Sequence, residues 1–459
     1  MTGAAATEIN GQTCTTEFGL AKNSDCIVDA DEIREWHDTR LVIVDEVSFG
    51  GYRDLLEPLN DRLGKLTERP DLLYGRSHIV FLGDFCQLPA KKPIYKHENG
   101  LLWEQALNSM VELKGTHRFS KCETMKRIIP GMREFGLSEE DRKILNSRVV
   151  DGINVKMPPI DQTKFASWRN VTKSEFNAAV FKDYLQKHHA NCTKDNIPTT
   201  AIVVRANAHW NRSNAPLSFS QRKILFEECP EGNCKDSRNK YYDPLLCLFH
   251  DCKVMVNDNK DVENGIANGT TGLFKKLHLE PKTKLVPMKM HGYWVYAVDI
   301  DHVQSIELEW YEGIFKGRFR VEPEHHVCQV NFPTLVLGKK TYFKAKIKLH
   351  CLPVNLNHAT TGHKLQGKSL DEIVIVEWSK HDAKKWAYVA ISRVRTLEGL
   401  FLLEPIPENI DFQPDEEYTA MMERLRPRIL VTSEEVADLM EEFPASPYFH
   451  LCPKNNEDQ

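Results

Sequence analysis

Leu41-Val-Ile-Val-Asp-Glu-Val-Ser48 is the stretch whose reading decides the fold. Four apolar residues, two of them valine and one isoleucine, run without a break into Asp45 and Glu46. A short continuous apolar run rich in β-branched residues reads as a strand buried on both faces, the pattern of parallel α/β sheets. Open sheets of that kind place ligands at the carboxyl ends of their strands. An aspartate there can hold Mg2+ on nucleotide phosphates. The glutamate beside it is placed to polarise an attacking water. The competing reading is an acidic turn that merely ends a strand.

Ile79-Val-Phe-Leu-Gly-Asp-Phe-Cys-Gln-Leu-Pro89 repeats the pattern downstream. Its apolar run ends at Gly83, polar Asp84 and Gln87 follow, and Pro89 stops any continuation. A helix-length segment separates the two runs, which predicts a βαβ unit. Gln87 would then project from a strand end next to the first, within reach of a γ-phosphate. The alternative is a core strand with a polar turn.

A third cluster lies far along the chain. His358-Ala-Thr-Thr-Gly-His-Lys-Leu-Gln-Gly-Lys-Ser-Leu370 leads into the apolar run Ile373-Val-Ile-Val376, and Trp386-Ala-Tyr-Val-Ala-Ile-Ser-Arg-Val-Arg-Thr-Leu-Glu-Gly-Leu400 follows. Gly362 to Ser369 satisfies the phosphate-loop pattern G-x-x-x-x-G-K-[ST] letter for letter. That loop works only between a buried strand and a helix, so that backbone amides and helix dipole converge on phosphate. Here a strand pattern follows with no helix first, and the Asp-Glu strand precedes it. The pattern is therefore read as something other than a phosphate cradle.

Taken together, VIVDEVS, FLGDFCQLP, the LKGTHRF around Arg118, HATTGHKLQGKSL and YVAISRVRTLEGL resemble motifs II to VI of the petite integration frequency (Pif) DNA helicases, the RecD-like branch of superfamily one. The resemblance covers roughly residues 1 to 405. It implies two RecA-like parallel-sheet domains with a small β-barrel insertion, and ATP with Mg2+ held between the two domains. Asp45 would hold the metal, with Asp84 also on the nucleotide. Glu46 would polarise water, Gln87 would sense the γ-phosphate, and Arg118 and Arg393 would clamp the developing charge. The stretch Thr2 to Leu20, opening Thr-Gly-Ala-Ala-Ala-Thr, resembles motif Ia, so Thr2 and Gly3, with Thr360, His363, Lys364, Gln366 and Gly367, would grip single-stranded DNA.

By this resemblance the activity is 5′-to-3′ unwinding of single-stranded, forked or structured duplex DNA by a monomer. Repair, recombination or genome maintenance, in the nucleus or mitochondria, would be its setting. In the family a phosphate-binding loop precedes motif Ia; here only Met1 does. The first domain is therefore expected to be incomplete, and the chain as given to lack efficient ATP turnover. The alternatives are a single-stranded-DNA-binding fragment without ATPase activity, and the helicase part of a Helitron-type transposon protein.

Composition is compatible with this reading. The 459 residues are 41% hydrophobic and 27% charged, enough for two or three domains with their own cores. No apolar run reaches the roughly 18 residues that a membrane-spanning helix needs, and no secretory leader opens the chain. The net charge of −5 does not advertise nucleic acid, but a local basic groove suffices for a helicase. The 12 cysteines are read as reduced thiols. Cys229, Cys234, Cys247 and Cys252 form two C-x4-C pairs, read as core or surface thiols rather than zinc ligands.

The expected division is a first RecA-like domain over 1–125, a helical connector over 126–198 and the start of a second RecA-like domain over 199–245. A β-rich insertion over 246–350, the end of the second domain over 351–405 and an acidic tail over 406–459 complete it. One amphipathic helix is expected in the tail around Ser433 to Met440.

Overall fold

The computed structural model describes residues 6, 11–20, 28–51, 55–88, 94, 102–103, 106–113, 117–228, 234–237, 240–262, 264–311, 315–336, 339–381, 383–413 and 415–426, with side chains left out over 333–340. Thr2, Gly3, Pro89, Cys229 and the tail helix expected around Ser433 to Met440 lie outside them. The chain forms two compact units: residues 24–85, 89–137 and 412–459 in the smaller, and 1–23, 86–88 and 138–411 in the larger.

In the smaller unit, the strand Leu41–Val44 pairs in parallel with His78–Phe81, Leu41 opposite His78 and Val44 opposite Phe81. The helix Glu57–Leu66 lies between them in sequence, so the βαβ expectation holds. That helix has proline in its first turn and buries Leu59, Leu63 and Leu66, spaced four and three residues apart along one face. The helix Ala30–Trp36 starts at a capping box, Asp29 accepting from the Glu32 N–H and Glu32 reaching back to the Asp29 N–H. Glu32 also pairs with the buried Arg62 at 2.5 Å, tying the two helices together.

The expectation of a strand buried on both faces is corrected here. Val42 and Val44 are buried, but Leu41 and Ile43 are 50% and 56% exposed. A continuous apolar run shows that both faces of a strand are apolar. Whether both are covered depends on what packs there. The described residues cover only one face of this two-stranded pair.

The larger unit contains an all-parallel sheet ordered Ala359–Thr361, Lys164–Ser167, Ile373–Ile375, Leu400–Leu402. Ile373, Val374 and Ile375 are essentially inaccessible, as the apolar run predicts. The helix Ala383–Ile391 connects the last two strands. The helix Asn170–His188 is locked to the first by Asn177. Its side chain donates to the Leu356 carbonyl at 3.1 Å and accepts from the Ala359 N–H at 2.8 Å. The strand Lys164–Ser167 lies inside the segment read as a helical connector. That segment does hold the helices Glu139–Asn146 and Asn170–His188, but Lys-Phe-Ala-Ser is too short and mixed to announce a strand.

Three further sheets share the larger unit. Ala201–Arg205 pairs antiparallel with Leu245–Phe249 and parallel with Tyr293–Asp299, which Val286–Met290 flanks. Arg318–Val321, Val303–Trp310, Thr271–Leu279, Lys253–Val256 and Val354–Leu356 form an antiparallel sheet in that order. The hairpin Glu324–Val336 with Lys339–Cys351 pairs with Asn207–Trp210. Two sequence expectations change. Ala201–Arg205, read as opening the second parallel sheet, belongs to a mixed sheet. Among the described residues the strands of 246–350 are not confined to a sheet of their own: they pair with 201–210 and 354–356 as well as with one another. Among the described residues no pairing closes the five-stranded sheet. Strand partners more than 80 residues apart leave no local mark on a sequence.

Candidate nucleotide and nucleic-acid sites

The Asp-Glu end of the first strand is held by backbone. Beyond the strand pair, the Leu82 N–H donates to the Val44 carbonyl and the Val47 N–H to the Leu82 carbonyl, both at 2.8 Å. The parallel ladder thus continues into the turn and sets the Asp45-Glu46 and Gly83-Asp84 loops side by side. Gly83 makes that approach possible. A Cβ there would lie 3.0 Å from Val47 Cγ1, 3.1 Å from Val47 N and 3.2 Å from Ser48 N. Glu46 takes a left-handed backbone conformation, φ 53° and ψ 40°, and its N–H donates to Asp45 Oδ1 at 2.8 Å. A non-glycine residue held there costs about 1–3 kcal/mol, and such strain concentrates at functional sites. Phe81 and Phe85 both pack on Trp103, with ring centroids 5.5 and 5.7 Å apart. Asp45, Glu46 and Asp84 are each partly accessible. Two adjoining turns thus carry three carboxylates, and Mg2+ on a triphosphate needs one or two. Arg118, in the same unit, sits half-buried in the single turn His117–Phe119.

The larger unit carries the remaining candidates. After the strand Ala359–Thr361 the chain makes the turn Gly362–Lys364 and reaches the strand Ile373–Ile375 with no intervening helix. The helix dipole that a phosphate loop needs is missing, which agrees with the sequence reading of this pattern. Gly362 is required because a Cβ there would come 2.6 Å from Trp386 Nε1. Gly367 has φ +79°, a turn conformation open to glycine.

Lys364 Nζ donates to Asn268 Oδ1 at 2.8 Å. Burial, with Lys173, Lys240 and Lys368 nearby, pushes its pKa down to about 8. Four ammonium groups therefore concentrate positive potential at this turn. His363 is exposed. Gln366 donates to the Leu88 carbonyl at 3.3 Å, and Gln87 in the neighbouring segment is half-buried.

Two candidates sit differently from expectation. Thr360, expected to grip DNA directly, is only 3% exposed and opposes Ala166 in the sheet, so it supports the turn from beneath. Arg393 is only 2% exposed. Its Nε donates to the Val389 carbonyl at 2.9 Å and its Nη2 to Ser392 Oγ at 2.7 Å, at the end of the helix Ala383–Ile391. Periodicity predicts that such residues lie beside a strand or helix, not how deep. Lys173, Lys240 and Asn268 escaped the sequence reading. Only Asn268 left a signal there, in the glycine turn Asn264–Gly272, where Gly265 and Gly269 take positive φ.

Of the cysteine pairs, Cys234, Cys247 and Cys252 are buried thiols outside any disulfide, and burial pushes the Cys252 thiol up to about 12.

No protein-family model matches the chain. Curated relatives do. The chain is 22% identical to uncharacterized protein 030L of Invertebrate iridescent virus 6 over 462 residues, 90% of this chain and 82% of that protein. It is 24% identical to the ATP-dependent DNA helicase Pif1 of Bdellovibrio bacteriovorus, over 90% of this chain and 79% of that protein. It is 22% identical to the ATP-dependent DNA helicase PIF1 of Danio rerio, over 96% of this chain and 58% of that protein. Among solved structures, Bacteroides Pif1 bound to ssDNA matches with a TM-score of 0.57 at 18% identity, covering 96% of this chain and 86% of that one. The Pif1 helicase from Candida albicans matches with 0.57 at 18% identity, covering 92% and 87%. Parallel strands ending in acidic turns, with a lysine-rich turn on a second parallel sheet, give this chain the fold of those solved Pif1 structures. In sequence the chain is similar to Pif1 helicases.

Proposed function

We propose that this chain works as an ATP-dependent DNA helicase that tracks 5′ to 3′ along single-stranded DNA and opens forked or structured duplexes as a monomer, in DNA maintenance in the nucleus or mitochondria. The observation that carries the reading is the pair of adjoining turns at Asp45-Glu46 and Gly83-Asp84, with Glu46 fixed in a left-handed conformation beside Asp45. Bound ATP with Mg2+ supplies the γ-phosphoryl group whose transfer to water releases the free energy. Asp45 and Asp84 hold the metal and phosphates. Glu46 orients and deprotonates the water. Gln87 reports on the γ-phosphate, and Arg118 and Arg393 neutralise the charge that develops. The turn 362–367, with His363 outermost and Lys364 among its lysines, takes the phosphodiester backbone by charge, which makes the grip independent of sequence and sensitive to salt.

The test is phosphate release stimulated by single-stranded DNA, measured for the chain as given and for the chain fused behind a phosphate-binding loop of the helicase type. Turnover of about 1 s⁻¹ or more is expected from a form that carries a complete phosphate site. In that form Glu46→Gln should keep nucleotide affinity and lose turnover by about a hundredfold or more, the usual worth of a general base. Hydrolysis at the parental rate in Glu46→Gln would make Glu46 a strand-end residue only. DNA binding with no turnover from any form would leave a DNA-binding protein without helicase activity.

A further inference from the structure

We propose that Asp258, Glu324 and His326 form a binding site for a divalent transition cation of the zinc type. Asp258 follows the strand Lys253–Val256, while Glu324 and His326 are alternate residues at the start of Glu324–Val336 and so point to one side. Their donor atoms lie within 4.8 Å of one another, the one such trio of His, Cys, Asp or Glu among the described residues. The His326 side chain is 8% exposed, and its Nε2 is buried with no hydrogen-bond partner. That nitrogen faces Asp258 Oδ2 at 3.9 Å and Glu324 Oε2 at 4.0 Å, too far for hydrogen bonds.

The surroundings are built to hold this arrangement. Tyr242, fully buried, stacks on the His326 ring at 3.9 Å and 18°, and its hydroxyl donates to Asp258 Oδ2 at 2.9 Å. Lys240 pairs with the other oxygen, Asp258 Oδ1, and Lys260 with Glu324 Oε1. Each carboxylate thus has one oxygen on a lysine and turns the other towards the imidazole. Such outer partners fix ligand orientation around metals. One imidazole and two carboxylates suit zinc, whose ligands lie about 2.0–2.2 Å from the ion, with water in the fourth place. Donors on such a tetrahedron stand roughly 3.5 Å apart, so the imidazole needs to approach each carboxylate by only about half an ångström from 3.9 and 4.0 Å. Magnesium and calcium prefer all-oxygen shells. The two ammonium groups weaken cation binding. Glu324, 46% exposed, gives the ion access.

The experiment titrates the chelator-treated full chain with Zn2+, and separately with Co2+ followed by its visible spectrum. The parent should bind one more equivalent of Zn2+ than His326→Gln. Glu324→Gln, at an exposed edge where folding is not at risk, should weaken that equivalent by roughly tenfold or more. Lys260→Gln should tighten it. The cobalt form should lack thiolate charge-transfer bands, which separates this site from adventitious cysteine binding. Equal stoichiometry and affinity in the parent and in folded Glu324→Gln, or a cobalt spectrum carrying thiolate bands alone, would overturn the proposal.

Discussion

At the scale of single residues, burial decides the chemistry of two cationic groups. Lys364 titrates near pH 8, so its ammonium is present at neutral pH and lost as pH rises through 8. If that ammonium holds a DNA phosphate, single-stranded-DNA affinity should fall between pH 7 and 9. Lys364→Arg, charged throughout, should hold it level. Lys364→Ala should flatten the dependence of log affinity on log salt by about one unit. Affinity against pH and salt for the three proteins checks this, and identical profiles would remove Lys364 from the interface.

His358 is the opposite case. It is fully buried, its Nε2 accepts the Lys253 N–H at 3.1 Å, and burial with Lys253 and Lys164 nearby pushes its pKa down to about 3. Its ring lies against Phe249, with centroids 5.7 Å apart. The unfolded chain takes up this proton near pH 6.5, so the stability it contributes is complete above 6.5 and falls as pH drops towards 3. The loss approaches roughly 5 kcal/mol across that window as an upper limit. Urea midpoints from pH 7 to 4 should slope downward in the parent, and less steeply in His358→Gln, whose side-chain oxygen can still accept from Lys253. The motif around His358 was visible in the sequence. That His358 is a neutral core residue and His363 an exposed one was not, because the two differ only in what folds around them.

At the scale of elements, Gly83 shows how a motif letter becomes a distance. Its missing side chain lets one strand end lie on the backbone of Val47 and Ser48. Gly83→Ala should therefore destabilise the smaller unit by about 1–3 kcal/mol, the usual cost of overpacking. It should also lower nucleotide affinity more than a remote substitution of equal stability cost. Denaturation midpoints and nucleotide titration check both, and a neutral Gly83→Ala would mean that the two turns can separate freely. The strands Leu41–Val44, His78–Phe81 and Ile373–Ile375 were legible because apolar runs stop sharply at polar turns. The helix Glu57–Leu66 was legible as the spacer between two such runs. Lys164–Ser167 was not, because its strand character comes from parallel neighbours on both sides rather than from its own residues.

At the scale of the whole chain, two compact units each bury their own apolar residues. Leu56, Leu59, Met125 and Ile128 are buried in the smaller, Phe165, Phe181, Val203 and Leu248 in the larger. Separate cores predict separate melting. Calorimetry should give more than one transition, or a measured enthalpy above the van't Hoff value. One two-state transition would show a single cooperative unit instead. The acidic total of −5 also matters less at this scale than where the lysines gather, as at Lys173, Lys240, Lys364 and Lys368.

The sequence by itself pointed to the architecture: apolar strand runs ended by Asp45-Glu46 and Gly83-Asp84, and a glycine-rich lysine turn that leads into a strand; among the described residues no helix is long and apolar enough to cross a membrane. Those features are local, set by side-chain period, turn chemistry and backbone freedom within a few residues. Only the tertiary structure decided that Leu41 and Ile43 stay half exposed, that Thr360 and Arg393 are buried, and that Asn268 holds Lys364. It alone sent the strands of 246–350 to three sheets and set Asp258 beside His326. Each of these depends on groups that meet across long stretches of chain, where pairing is settled by mutual burial and hydrogen bonding rather than by neighbours in sequence.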